Sequence, residues 1–209
     1  MRFISERIRK TYEEIGRYVY SNTLNIDNYK FIAGKYDNID EIKNAPEEGW
    51  IDFKTGDLWG EESHGWFKTS VKVPEEFAGQ TIALSFHTFL GDWDNTTNPQ
   101  FILYVNGEHI QGLDVNHQET ILTHNAVAGE VYDIDLHAHI GRIEGKKSTL
   151  HGKLVTIDEE ARKLYFNLSV PHIVATKLHE EDKRRIDMLT VVNDTINLID
   201  LRRPLDRKS

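Results

Sequence analysis

The chain has 209 residues, of which 39% are hydrophobic and 28% charged, and it carries a formal net charge of −9. This composition is typical of a globular protein, and no apolar run approaches the roughly 18 residues that a membrane span needs. The acidic balance, without a basic stripe among the aromatic residues, argues against nucleic-acid binding. Cysteine is absent, which excludes disulfides and thiolate chemistry and favours a reducing, cytoplasmic compartment.

The first segment is predicted to be a helix. Its apolar residues recur at three- and four-residue spacing from Ile4 to Val19, with charges between most of them. Residues 22–47 show no sustained periodicity, so we interpret them as a segment that wraps around the domain. Residues 1–47 are therefore assigned to an N-terminal helix and a wrapping segment.

From Trp50 the hydrophobic period changes to two, which is typical of strands. Alternation is strictest in residues 131–140, where apolar side chains alternate with Asp and His. Asn106-Gly107, between two apolar runs, indicates a two-residue hairpin turn. Several short strands separated by turn signals, without a helical crossover, predict an antiparallel β-sandwich or jelly roll over residues 48–156.

Beyond residue 156 the pattern predicts helices again. Thr156 and Glu159 have the spacing of a capping box, and apolar residues follow at helical spacing. Pro171 is expected to kink or break this helix, and a second helix is predicted to begin near residues 180–182. Residues 157–209 are thus assigned to a helical segment and a linker, which makes the chain mainly β with flanking helices.

His137 and His139 form the sharpest metal-like pattern. Histidines at i and i+2 of a strand point to the same face, and together with Glu144 their spacing resembles the first ligand motif of the cupins. The glycines of that motif are missing or displaced, and no second motif follows. The alternative is that both histidines are solvated residues on the polar face of a strand. A cupin-like metalloprotein is kept as an alternative function.

Residues 92–98 are rich in carboxylate and amide oxygens, including those of Asp92 and Asp94. Such ligands suit a structural calcium ion, although the central glycine and terminal glutamate of a helix-loop-helix calcium loop are missing. A turn rich in Asp and Asn explains the same residues. The sequence leaves both interpretations open.

Trp59, Trp66 and Trp93 lie in or beside the predicted sandwich. Exposed aromatic rings stack on sugars, which would make the chain an autonomous carbohydrate-binding module. Large aromatic side chains more often fill a core or an interface. No Gly-x-Ser-x-Gly elbow, phosphate loop or recognisable pair of catalytic carboxylates accompanies them.

Four segments together resemble one known protein region: WIDFKTGDLWG (50–60), WFKTSVKVP (66–74), LYVNGEHIQGLDVNH (103–117) and AGEVYDIDLHAHIG (128–141). They are similar to the N-terminal region of the cytosolic α-mannosidases of glycoside hydrolase family 38. The stretches IDEEARKLYFNLSV and IDMLTVVNDTINLIDL resemble the helices that lead into that family's catalytic domain. Glu61-Glu62 depart from the pattern, because a further glycine is expected there.

The resemblance implies a galactose-binding-like β-sandwich from a zinc-dependent, retaining enzyme that acts on α-linked mannose. In that family the zinc ligands and the aspartate nucleophile belong to a catalytic domain, which would follow Ser209. No catalytic or metal residue is therefore expected in this segment, which should be inactive by itself. Its partners would be the catalytic domain of its own chain and, for the parent, an α-mannoside or oligosaccharide. No membrane or nucleic-acid partner is expected, a cytoplasmic location is expected, and homo-oligomerisation is left open.

Gly112, Asp114, Asn116 and His117 form a polar cluster after the hairpin. Functional contacts concentrate in loops that a rigid scaffold holds, and this chain supplies no catalytic partners for the cluster. We therefore interpret the cluster as a surface that docks the catalytic domain, and the segment as a noncatalytic scaffold. On that interpretation, removing the side chain of Asp114 or His117 should barely change the stability of the isolated chain.

Overall fold

A computed structural model describes residues 2–88, 99–141 and 147–199, and the structural account is confined to these ranges. The chain divides into two compact units. One consists of Met1–Ser21 with Ile157–Ser209, and its described residues are mainly helical; the other consists of Asn22–Thr156, and its described residues form a β-sandwich.

Ten strands are present in the described residues. They are β1 (Tyr20–Ile26), β2 (Asn28–Ala33), β3 (Ile51–Lys54), β4 (His64–Lys72), β5 (Thr81–His87), β6 (Gln100–Val105), β7 (Glu108–Leu113), β8 (Glu119–Thr123), β9 (Val131–His139) and β10 (His151–Ile157). A four-stranded sheet has the order β1-β10-β5-β8, and a six-stranded sheet has the order β3-β2-β4-β9-β6-β7. The pairing is mainly antiparallel, so the predicted sandwich is confirmed.

The sandwich core is built by alternate residues of the strands, as period-two patterning requires. Phe67 lies at its centre, with ring centroids 4.6 Å from Phe31, 5.0 Å from Phe53 and 5.3 Å from Trp59. Edge-to-face and tilted pairs of this kind add to the hydrophobic gain, which is roughly 1.5–3 kcal/mol for each large side chain. This aromatic cluster joins the N-terminal strands β2 and β3 to the sheet.

Residues 22–47 differ from the wrapping segment that the sequence predicted. They supply most of β1 and all of β2, and β2 lies between β3 and β4 in the six-stranded sheet. Only the part after β2 crosses the outside of that sheet, where it includes α2 (Ile39–Lys43). The strands were not predicted because β1 is mostly polar and because the alternation in β2 is interrupted where Phe31 and Ile32 are both buried.

The hairpin turn between β6 and β7 is confirmed. Asn106 has φ 54° and Gly107 has φ 83°, so both central residues have the positive φ that a type I′ turn requires. Val105 pairs directly with Glu108 across the two-residue loop.

Three helices form the helical unit: α1 (Arg2–Gly16), α3 (Glu159–Lys177) and α4 (Lys183–Asn197). Their buried apolar residues make one core, formed by Ile8, Ile15, Leu168, Ala175, Leu189, Val192 and Ile196. All three helices were predicted from the apolar periodicity. None of the described helices combines the length and the apolar composition that a bilayer span requires.

Two details of α3 differ from prediction. Its N-cap is Asp158, whose side chain accepts a hydrogen bond from the Ala161 backbone N–H, whereas Thr156 is a buried residue of β10. Asp is at least as favourable an N-cap as Thr. Thr156 is part of strand β10, so it does not cap the helix. Pro171 does not break α3, which runs on to Lys177.

Candidate functional site

The outer face of the six-stranded sheet carries the candidate site. His64 and Trp66 on β4 pair with His139 and His137 on β9, respectively. Because side chains two residues apart on a strand share a face, all four lie on the same side of the sheet, opposite to the core. The prediction that His137 and His139 share a face is therefore confirmed.

Part of this face is covered by the segment around α2. Trp66 packs there with Ile32 and Ile42, and its indole N–H donates a 3.0 Å hydrogen bond to the backbone carbonyl of Tyr36. The indole ring of Trp66 also stacks on the imidazole ring of His137, with a centroid distance of 4.6 Å and an interplanar angle of 3°. His137 therefore marks the border between the covered and the open part of the face.

Three imidazoles gather at this border. The ring centroids of His64 and His139 are 4.6 Å apart, and those of His64 and His137 are 5.9 Å apart. One nitrogen of each ring is buried without a hydrogen-bond partner in the described part of the chain: Nδ1 of His64, Nε2 of His137 and Nδ1 of His139. Buried polar atoms are nearly always paired in folded proteins, so three such atoms in one place are unusual.

A cavity of about 410 Å³ opens beside these rings. Besides the three histidines it is lined by Gln100, Phe101, Ile102, Gly112, Leu113 and Asp114. β6 and β7 supply most of these residues, since Ile102 pairs with His137 on one side and with Gly112 on the other. The register of four neighbouring strands, β4, β9, β6 and β7, thus builds a polar pocket on the sheet.

Burial lowers the pKa of His64 and of His137 below the ordinary histidine range. The neighbouring imidazoles act in the same direction, His139 on His64 and His64 on His137, because each disfavours a second positive charge. Both rings are therefore neutral near pH 7. Neutral imidazole offers one N–H donor and one bare nitrogen acceptor.

The metal interpretation involves His137, His139 and Glu144, and the structure describes only the two histidines. Glu144 lies outside the described residues. Within those residues, no group of three or more His, Asp or Glu side chains is arranged to hold a metal ion. Nor are the two histidines solvated, since both are partly buried against their neighbours.

The predicted docking cluster begins at Gly112 in β7 and continues into the connection between β7 and β8. Oδ1 of Asp114 accepts hydrogen bonds of 2.8 Å from the backbone N–H groups of Asn116 and His117, and it lies 3.0 Å from Nδ1 of His117. These bonds, led by the Asn116 N–H, lower the pKa of the Asp114 carboxyl. Asp114 therefore organises its own loop, so the expectation that its removal is silent in the isolated chain does not fit the geometry.

The four residues of the cluster lie in two different environments. Asn116 and His117 are exposed, while Gly112 and Asp114 line the histidine cavity. No contact in the structure tests the docking role, which stays a prediction.

The tryptophans proposed for sugar contact lie in different places. Trp59 is 2% exposed and contacts Phe67 and Phe101, and Trp66 is 0% exposed, so neither ring presents a face to solvent. Trp93 and the Asp92–Asp94 loop lie outside the described residues.

Among the three histidines of the site, His64 is the one that sequence reasoning missed. It stands 73 positions before His137 along the chain, and only the β4–β9 register brings the two together. The available signal was its position in the alternating pattern of β4, because His64, Trp66 and Lys68 alternate with the core-facing residues of that strand.

Similar solved structures are glycosidases of greater length. A Ruminococcus gnavus β-glucuronidase is 13% identical with a TM-score of 0.46, and the alignment covers 67% of this chain and 29% of that one. An uncultured Clostridium β-glucuronidase is 14% identical with a TM-score of 0.43, covering 66% of this chain and 29% of that one. The chain thus spans less than a third of the length of these enzymes.

No curated protein sequence matches the chain significantly. Residues 31–174 match the family model described as the jelly roll domain of α-mannosidase, of the Ams1-like type. Since that match covers more than half of the residues, the chain belongs to the Ams1-like α-mannosidase family and carries its jelly roll domain.

Proposed function

We propose that the chain is the noncatalytic N-terminal module of a zinc-dependent, retaining α-mannosidase of glycoside hydrolase family 38, and that it serves as a scaffold on which the catalytic domain docks. The observation that carries this proposal is the match of residues 31–174 to an α-mannosidase jelly roll domain. The partners in this proposal are the catalytic domain of the same chain and the parent's α-mannoside substrate. A cytoplasmic location is in keeping with the absence of cysteine.

The zinc ion of such an enzyme does not fit the part of this domain that the structure describes. No three His, Asp or Glu side chains there are arranged as a metal site. We therefore assign the ion, and with it the hydrolytic chemistry, to the catalytic domain.

The docking role is supported by the geometry of the β7–β8 loop. Asp114 holds the backbone of this loop through two N–H groups, and the loop presents the exposed side chains of Asn116 and His117. A loop that is already ordered loses little conformational entropy when a partner binds. The surface formed by Gly112, Asp114, Asn116 and His117 is therefore suited to recognise another domain.

An activity measurement tests the catalytic part of the proposal. The purified 209-residue chain should not hydrolyse an aryl α-mannoside, with or without added Zn²⁺, whereas the full-length enzyme should do so. Turnover that co-purifies with the chain and disappears in His137→Ala or His139→Ala would overturn the proposal in favour of a metalloenzyme.

A pair of substitutions tests the docking part. Asn116→Ala and His117→Ala should lower the activity or thermal stability of the full-length enzyme while leaving the isolated chain little changed, because both side chains are exposed here. Asn125→Ala, in another exposed loop, is the matched control and should be silent in both forms. Silence of all three variants in the full-length enzyme would exclude this loop as the docking surface.

A further inference from the structure

We propose that the cavity on the outer face of the six-stranded sheet binds a small polyhydroxylated ligand, a monosaccharide or cyclic polyol, through His64, His137 and His139. Gly112 and Asp114 belong both to this cavity and to the proposed docking surface, so the inference is tested on the 209-residue chain alone.

The first argument is the set of buried nitrogens without partners. Each of the three imidazoles has one such atom, and all three rings line the same cavity of about 410 Å³. A polar atom withdrawn from water without a hydrogen bond destabilises the fold, and sites that keep several of them are commonly completed by a ligand or ordered water. The cavity has the volume of known small-molecule sites.

Hydroxyl groups suit these atoms better than a charged ligand does. Each neutral imidazole nitrogen is either a donor or an acceptor, depending on the tautomer, and a hydroxyl group pairs with both. Burial of His64 and His137 and the proximity of their two rings disfavour the positive charge that an anionic ligand would require on them. A metal cation is disfavoured because the described His, Asp and Glu side chains lack the arrangement to hold one.

The remaining walls suit a ring that is apolar on one face and polar at its edge. Ile102 is an exposed apolar residue in the wall, and exposed Gln100 adds a polar side chain to the lining. The hydrogen bonds that Asp114 makes with described residues all use Oδ1, so Oδ2 has an acceptor position for a further hydroxyl. The stack of His137 on buried Trp66 fixes one wall before any ligand enters.

Gly112 keeps the cavity open. A Cβ built on this residue would find its nearest neighbour, the Phe101 carbonyl oxygen, at 3.9 Å, so a larger side chain meets open space. Gly112 pairs with Ile102, and its substituent would therefore project on the cavity side of the sheet. Gly112→Val should fill the cavity without displacing core residues.

Histidine side-chain NMR tests the proposal on the 209-residue chain. We expect D-mannose, D-glucose or myo-inositol to shift the ring resonances of His64, His137 and His139 saturably, with a dissociation constant on the order of 1 mM for at least one of them. Cyclohexanol, a ring of similar size with a single hydroxyl, should not do so. A response to mannose and glucose alone identifies a sugar site, and a response that includes myo-inositol identifies a general polyol site.

Variants show whether the response belongs to the cavity. Gly112→Val and His139→Ala should each weaken binding about tenfold or more, and His179→Ala, in the helical unit, should not change it. Circular dichroism shows whether a variant fails to fold. If His139→Ala does not fold, Gly112→Val decides the question. Equal, unsaturable shifts at all histidines, or stoichiometric binding of Zn²⁺ at these rings without any response to the three polyols, would overturn the proposal.

Discussion

The imidazole of His137 lies flat against the indole of Trp66, with ring centroids 4.6 Å apart and planes within 3° of parallel. Trp66 is 0% exposed and is held by its hydrogen bond to the Tyr36 carbonyl. A cavity-lining ring is therefore positioned by a residue that also closes the cluster under α2. The contact between Trp66 and His137 therefore contributes both to the stability of the fold and to the geometry of the cavity.

Truncating Trp66 should consequently destabilise the protein strongly. Trp66→Ala removes a fully buried indole, which typically costs about 3–5 kcal/mol of unfolding free energy, and Trp66→Phe should cost less because most of the volume is kept. Urea denaturation measures both. Leu58→Ala is the control, because Leu58 is 62% exposed and its loss should stay within about 0.5 kcal/mol. Similar midpoints for Trp66→Ala and Leu58→Ala would contradict the packing described above.

Gly65 should tolerate no side chain. A Cβ on this residue would lie 2.5 Å from Cε2 of Phe31 and 3.2 Å from the Ile32 carbonyl oxygen, so Gly65→Ala must displace a core ring. Overpacking of this kind costs roughly 1–3 kcal/mol. Gly112→Ala is the matched substitution on β7, where the added methyl group enters open space and the unfolding free energy should change little. Chemical denaturation of both variants decides the point, and an unchanged midpoint for Gly65→Ala would be inconsistent with this contact.

The β7–β8 loop should depend on the acceptor oxygen of Asp114. Asp114→Ala removes the acceptor of the Asn116 and His117 N–H groups, so we expect a lower melting temperature and faster amide exchange in residues 114–118. Asp114→Asn keeps an oxygen at this position and should retain most of the protection. Because the pKa of Asp114 is depressed in the fold, its stabilisation is present above the unfolded value of about 3.9 and is lost as the pH falls through the folded value. Equal exchange in the two variants would show that Asp114 does not order the loop.

The helical unit should lose stability in mild acid through His172. This residue is 4% exposed, and Nε2 lies 2.8 Å from the Ser5 hydroxyl while its ring contacts Tyr12. Burial lowers its pKa, Arg9 acts in the same direction, and Ser5 and Glu6 oppose the shift. The unfolded chain therefore takes up a proton first as the pH falls below about 6.5, and the folded state is destabilised until the folded pKa is reached.

Unfolding free energies at about pH 7.5 and pH 5.5 measure this effect. We expect the loss between the two conditions to be smaller in His172→Gln than in the wild type, because the variant has no group to protonate at this position. His179→Gln, an exposed substitution, is the control and should leave the loss as it is. An identical loss in wild type and His172→Gln would assign the acid sensitivity to other groups.

Several features follow from the sequence alone. The strict alternation of residues 131–140 predicts β9, and Asn106-Gly107 predicts the hairpin that the two positive φ values confirm. The apolar spacing of α1, α3 and α4 likewise predicts the helices. These signals are local, because periodicity and turn chemistry act over a few neighbouring residues. The family membership is also carried by sequence, over residues 31–174.

The candidate site was decided by tertiary structure. His64 becomes a neighbour of His139 only through the pairing of β4 with β9, and Gly112 reaches the same cavity only through β6. Trp66, expected from its sequence either to fill a core or to contact sugar, is buried because the segment around α2 covers part of the outer face. Strand pairing and the covering of a sheet face are contacts between residues far apart in the chain, so local periodicity determines which face a side chain takes but not what lies against that face.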